Sequence, residues 1–374
     1  MQVVAGPACR RAAGAAAFGS SRRLTLTVAT GRRRRLPLMT SPSIAGHAPA
    51  LRGCWHPVAE SREIVPDTPV AVDLLGEALV LWRDSTGTAH AFLDLCIHRG
   101  TALSLGTVEG DEIVCPYHGW RYRSDGACTR IPQLGDPTRV PAKARATTFR
   151  CAERYGFTWV ALEEPRWPVP DVPELEDDAW ATVLCGPFTW ACDASRQVEN
   201  FTDFGHFPFV HPGLLGDPER PVVPSHKVET DSDHVLRYDI VRPEAVANDD
   251  FPVFGNEVVE APERRSRYEL HLPYTIVLRL GWGGQAGMAY FFACRPEGPE
   301  RTTGFLAIAR NYNLEQPDTV LQEFEDVIFA QDRRIVESQR PERVPFDLAD
   351  ELHLTFDAVA VAYRRAMRNA GLAL

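Results

Sequence analysis

The sequence predicts an α+β chain, with an all-β domain in its N-terminal half and an antiparallel sheet flanked by helices after it. Three observations predict this. Between about residues 53 and 164, short apolar or alternating runs are separated by Gly, Asp and Ser, as in a small β domain. From Pro165 to Pro173 four prolines fall in nine residues, a density that neither helix nor central strand accommodates. Beyond them, alternating runs over 224–310 give way to helical spacing at 318–341 and 356–370.

The elements follow in order. Residues 1–50 read as a disordered or spurious Arg-rich leader, and 51–164 as the β domain, with strands expected at 70–75, 78–82, 89–93, 112–115, 120–123 and 158–162. Residues 165–175 form the linker and 176–374 the second domain. The stretch 196–211 starts as a helix and is expected to break at Pro208 and Pro212. In the helix at 318–341, Leu321, Phe324, Ile328 and Ile335 recur at helical spacing. No internal repeat is visible.

Composition narrows the function. With 44% hydrophobic and 24% charged residues, the chain has the make-up of a soluble globular protein. No run reaches the ~18–20 apolar residues of a membrane span. Residues 1–38 carry eight arginines and no acid, so the remainder holds 32 basic and 50 acidic residues and nets −18. Such a body repels phosphate backbones, which argues against nucleic acid. The basic leader reads as a spurious extension with Met39 as the true start, as an organelle transit peptide, or as a binding arm. Nine cysteines at irregular spacing make a poor disulfide framework and favour a reducing compartment. The expected location is the cytoplasm, or an organelle stroma if the leader is a transit peptide.

Two of those cysteines stand beside histidines. Cys96-Ile-His98 is followed, after sixteen residues, by Cys115-Pro-Tyr-His118. Two thiolates and two imidazoles suit either a structural zinc or a [2Fe–2S] cluster of mixed ligation. Zinc fingers group their cysteines in one pair and their histidines in the next. Here each pair supplies one of each, so Cys96 and Cys115 can meet at an inner iron, and His98 and His118 at an outer one. With Gly119-Trp120 and the Asp125-Gly126 turn, the segment resembles the Rieske family. Cys128 lies outside the spacing and reads as a packed thiol.

A second constellation lies about ninety residues on: Asn200, Asp203, His206 and His211 in the pattern Asn-x₂-Asp-x₂-His-x₄-His. Two histidines with a carboxylate from elsewhere make a facial triad, which suits non-haem Fe(II). His-x₄-His alone is a weak signal. Together the two motifs resemble the Rieske-type non-haem iron oxygenases from about Gly53 to the C-terminus, the α-type oxygenase component of the monooxygenase and demethylase branch, similar to the vanillate demethylase and dicamba monooxygenase groups. The resemblance implies a helix-grip-like catalytic domain with Asp332 as third ligand. Asp332 shares a helical face with Ile328 and Ile335, and Asp326 is the fallback. The remaining acids of that helix read as solvated.

The resemblance also implies that Asp203 links the mononuclear site to the cluster histidine of a neighbouring chain in a homotrimer, with Asn200 near the iron. The expected activity is O₂-dependent hydroxylation or oxidative demethylation of a small hydrophobic, aromatic molecule. Desaturation or oxidative cyclisation is the alternative reaction, and a cluster protein without chemistry the alternative class. No dinucleotide fingerprint is present, so electrons from NAD(P)H should arrive through a separate ferredoxin or flavin reductase. Phe204, Phe207, Phe209, Phe251, Phe254 and Tyr290 are candidates for an aromatic cavity.

Overall fold

Ten short strands build the N-terminal part of the computed structural model, which describes residues 47–243, 263–281 and 286–373. They are β1 (His56–Glu60), β2 (Val70–Leu74), β3 (Glu77–Arg83), β4 (Ala89–Leu93) and β5 (Thr107–Glu109). β6 (Glu112–Val114), β7 (Arg121–Arg123), β8 (Cys128–Arg130), β9 (Thr148–Arg154) and β10 (Phe157–Ala161) complete the set. They form a six-stranded sheet in the order β1-β10-β9-β4-β3-β2 and a four-stranded sheet β5-β6-β7-β8. Strands β1, buried throughout, and β5 and β8, three residues each, carry no period to read in advance, whereas β9 alternates over its first residues and was missed. The leader, Phe251 and Phe254 lie outside the described residues.

The second part is a seven-stranded antiparallel sheet. Its strands are β11 (Ala181–Trp190), β12 (Glu229–Thr230), β13 (Val235–Pro243), β14 (Glu263–His271), β15 (Thr275–Gly281), β16 (Gly287–Gly298) and β17 (Arg301–Arg310), in the order β11-β17-β16-β15-β14-β13-β12. β14 shows how sequence sets its faces: Arg264, Ser266, Tyr268 and Leu270 are buried while Glu263, Arg265 and Arg267 are exposed. β16 is buried along most of its length, because both faces of the sheet are covered. One face packs Val277, Phe291, Ala293 and Phe305 against Tyr155, Phe157 and Trp159 of the N-terminal part. Burying Phe291 completely contributes about 1.5–3 kcal/mol.

Helices cover the other face: α1 (Ala194–Thr202), α2 (Phe207–Val210), α3 (Asp318–Val336) and α4 (Ala358–Asn369). α3 buries Leu321, Phe324, Glu325, Ile328, Phe329, Asp332 and Val336, a stripe at i, i+3/i+4 and i+7. Phe329 stacks on Phe188 of β11 at 3.9 Å. Three expectations need correction. The helix ends at Val336, not 341, and Ile335 is 40% exposed, off the Asp332 face. Glu325 is not solvated; it is buried. The helix from 194 breaks at Asp203, and Pro208 opens α2 instead of ending a helix. A proline in a first helical turn loses no hydrogen bond, since that N–H has no partner there anyway. No helix of the described residues is long and apolar enough to cross a membrane.

Candidate metal centres and active site

The two Cys/His loops fold alike. In the first, after β4, the Cys96 N–H donates to Thr101 O and the Gly100 N–H to Cys96 O. In the second, between β6 and β7, the Cys115 N–H donates to Trp120 O and the Gly119 N–H to Cys115 O. Gly100 and Gly119 have φ of 72° and 68°, the left-handed region that closes each turn at little cost only for glycine. Each turn sends its cysteine inward and its histidine outward.

Cys96 and Cys115 are therefore buried among Trp82, Leu103, Ile113 and Tyr122. His98 and His118 are half-buried, their Nδ1 atoms 3.2 Å apart, with His98 stacked on Trp120 at 4.5 Å. The Tyr122 hydroxyl lies 3.1 Å from Cys96 Sγ, and burial raises the Cys115 thiol. Two ring nitrogens facing each other at that distance, above two buried thiols, fit a [2Fe–2S] cluster with one sulfur-bound and one imidazole-bound iron. Cys128 is buried, its Sγ directed at the Arg130 carbonyl, and takes no part.

The second site is built from three elements. α1 starts at Asp193, whose carboxylate accepts from the Ser195 N–H. It is tied to α4 by Arg364, which donates to both oxygens of Glu199 at 2.6 and 2.7 Å and to Glu351 at 2.6 Å. Arg364 is 2% exposed, so this pair fixes the residue immediately before Asn200. After the break at Asp203, the His206 carbonyl accepts from Val210 N–H and the Phe207 carbonyl from His211 N–H. That short helix rotates two imidazoles five residues apart toward one point.

Asp332 comes from α3 to meet them. Its Oδ1 lies 2.9 Å from His211 Nε2 and 3.4 Å from His206 Nε2. All three atoms are buried without a well-formed hydrogen bond, an arrangement that a metal ion satisfies. One ligand atom from each residue lies within 4.8 Å of the others. The outer nitrogens are held: His206 Nδ1 by Asp203 Oδ2 at 3.0 Å and His211 Nδ1 by Gln331 Oε1 at 2.7 Å. Each bond suits a proton on Nδ1, the tautomer whose Nε2 would be free to bind a metal ion. Burial opposes charge on His206, but Asp203 and Asp332 outweigh it and hold the ring at about 9. Burial likewise opposes charge on Asp332 and Asp203, yet their histidine partners lower both. Asp326 is exposed and reaches none of these atoms.

An aromatic cavity adjoins the triad, lined by Phe201, Phe207, Tyr268, Tyr290, Phe292 and Phe329 together with Asn200 and Glu325. Phe204 lies outside that lining, and Phe209 is 66% exposed. Asn200, His206 and Asp332 also border a surface cleft that contains Asp203. Gln331 and Glu325 were not legible as site residues, since neither belongs to a spaced motif. Only its place beside Asp332 hinted at Gln331.

Two family descriptions match the chain: the Rieske [2Fe-2S] domain over residues 54–149 and the Vanillate O-demethylase oxygenase C-terminal domain over 190–373. Methylxanthine N1-demethylase NdmA of Pseudomonas putida is 35% identical over 85% of this chain and 89% of its own length. Methylxanthine N3-demethylase NdmB of the same organism is 30% identical over 86% and 90%. The structure of NdmA with caffeine superposes with a TM-score of 0.76 at 31% identity, covering 86% of this chain and 95% of that one. Dicamba monooxygenase bound to dicamba shares the fold, with a TM-score of 0.73 at 22% identity over 86% and 97%.

Proposed function

This chain belongs to the Rieske-type non-haem iron oxygenases, and from that premise we propose that it removes a methyl group oxidatively from a planar aromatic or heterocyclic substrate. It is an oxidoreductase with a [2Fe–2S] cluster and a mononuclear iron, and its electrons come from a ferredoxin or reductase partner. We assign the cluster to Cys96, His98, Cys115 and His118, and the iron to His206, His211 and Asp332. The observation that carries this is the trio of buried, unsatisfied donor atoms at the edge of an aromatic cavity.

The cluster supplies electrons singly and the iron supplies activation of O₂. The chain's own residues do the rest. Asp203 and Gln331 fix the tautomers of the two histidines, while Phe201, Phe292 and Phe329 exclude water and hold the substrate plane. One oxygen atom enters a methyl C–H bond, and the resulting hydroxymethyl group leaves as formaldehyde, with the proton returned to N or O. The second oxygen leaves as water, taking two electrons and two protons. The named substrates of the relatives, methylxanthines, make N-methyl heterocycles the first candidates here.

We further assign a homotrimer in which Asp203 meets the cluster histidine of a neighbouring copy. Its side chain is 44% exposed although its oxygens are engaged by the Gly205 N–H and by His206, which suits a group that looks outward. Eight described cysteines are all free, in keeping with a reducing compartment.

Iron and acid-labile sulfide analysis with formaldehyde detection tests the reading. About three irons and two sulfides per chain, with NAD(P)H- and O₂-dependent formaldehyde from an N- or O-methyl aromatic, are expected. Zinc without sulfide ends it. A second outcome concerns the histidine support: Gln331→Leu should weaken iron binding at the triad about tenfold. Chelator titration measures this, with the cluster absorbance as an unchanged reference; equal iron retention in both proteins removes Gln331 from the site.

A further inference from the structure

One acid in the cavity has no part in the chemistry above. Glu325 stands on α3, is 4% exposed, and lines the same cavity as the metal triad. It precedes Asp332 by seven residues, two helical turns, so the two side chains leave the helix about 10 Å apart along its axis. Between them the wall is apolar, made by Phe324 and Ile328 of α3 and Phe292 of β16.

The groups around this carboxyl set its protonation. Burial pushes it up to about 8; the Tyr290 hydroxyl favours the charged form, and Asp332 and Asp326 oppose it. Cys185 of β11 also senses it, and Arg264 lines the same cavity beside Tyr290. At neutral pH the group is thus a neutral acid, able to donate a hydrogen bond into the cavity.

We propose that Glu325 is the specificity-determining donor of this cavity, receiving a carbonyl or ring-nitrogen acceptor on a neutral planar substrate whose methyl group then lies at the triad. The inference rests on the demethylase reading above and names its substrate class. An acceptor on the substrate gives this carboxyl a further partner beside the Tyr290 hydroxyl, so molecules that carry one bind more tightly than those that lack one. An aromatic carboxylate drawn in by Arg264 is the competing substrate class.

The test uses the iron-loaded holoenzyme and three probes. Caffeine is neutral and carries carbonyls, 1-methylindole has no acceptor, and 3-methoxybenzoate is anionic. Calorimetry gives each Kd, and formaldehyde release is measured separately. Wild type should bind caffeine at least about tenfold more tightly than either other probe. Glu325→Leu should erase that margin without changing 1-methylindole binding, and Glu325→Gln, still a neutral donor, should keep most of it. Glu325→Met replaces the leucine variant if that one loses its cluster absorbance. Equal binding of caffeine and 1-methylindole, preference for 3-methoxybenzoate, an intact margin in the apolar variant, or an equal loss in Glu325→Gln overturns the proposal. The expected binding pattern without formaldehyde leaves this assignment standing and removes demethylation as the reaction.

Discussion

Replacing His206 with alanine is expected to abolish O₂-dependent product formation while the visible spectrum of the cluster survives. The two sites draw on separate parts of the chain. Cys96 and Cys115 belong to the small core around Trp82 and Tyr122, whereas His206 stands between α1 and α2 against the seven-stranded sheet. Losing His206 leaves one imidazole and one carboxylate, too few ligands to hold a divalent ion in a facial triad. Turnover should fall by more than about a thousandfold, to the background of a protein without the metal. Bound iron should drop from about three to two per chain, with sulfide unchanged. The histidine is half-buried and its removal leaves the packing of Phe204 and Phe207 in place, so the protein should remain folded. Retained turnover would mean that the triad is not the reacting centre. Loss of the cluster spectrum along with activity would mean that the two sites fold as one.

Much of the proposed site could be read from the chain because the ligands assigned to it come in short, local patterns. Cys96-x-His98 and Cys115-x₂-His118 each fit in one turn, and Asn200 to His211 spans two short helices. The contribution of Asp332 needed a family resemblance, since 120 residues lie between it and His211 and only the packing of α3 brings them together. Periodicity alone misplaced Ile335, because α3 turns its exposed side there at the last turn. Proline chemistry misplaced the break after α1. What stops that helix is Asp203, which adopts an extended backbone and spends its carboxylate on the Gly205 N–H and His206. Glu325 was invisible for a different reason. A glutamate on a helix is usually solvated, and nothing in its neighbours along the chain marks it as buried. It is buried because the sheet brings Tyr290 over it, a tertiary fact. The short strands β5 and β8, three residues each, are likewise set by pairing with β6 and β7, since three residues are too few to show a period.

Asp203→Asn is expected to leave both metal sites loaded and yet slow the delivery of electrons to the mononuclear centre by on the order of a hundredfold. The carboxylate has two distinct duties in this structure. Oδ1 accepts from the Gly205 N–H at 2.8 Å and Oδ2 from His206 Nδ1 at 3.0 Å, while the side chain remains 44% exposed at the surface cleft. An asparagine has the same shape and keeps one carbonyl oxygen, so it can still orient His206. It cannot carry the negative charge that holds the ring's proton, nor accept a second imidazole N–H from a neighbouring copy. Iron content should therefore match wild type, which separates this variant from Gln331→Leu. Single-turnover experiments with a chemically reduced cluster should show slow reoxidation, whereas the affinity for substrate stays the same. If reoxidation proceeds at the wild-type rate, Asp203 serves only to hold His206, and electrons reach the triad by another route. If iron is lost instead, the carboxylate acts through the geometry of the ligand, and the path between centres has to be sought elsewhere along the cleft that Asn200 and Asp332 border.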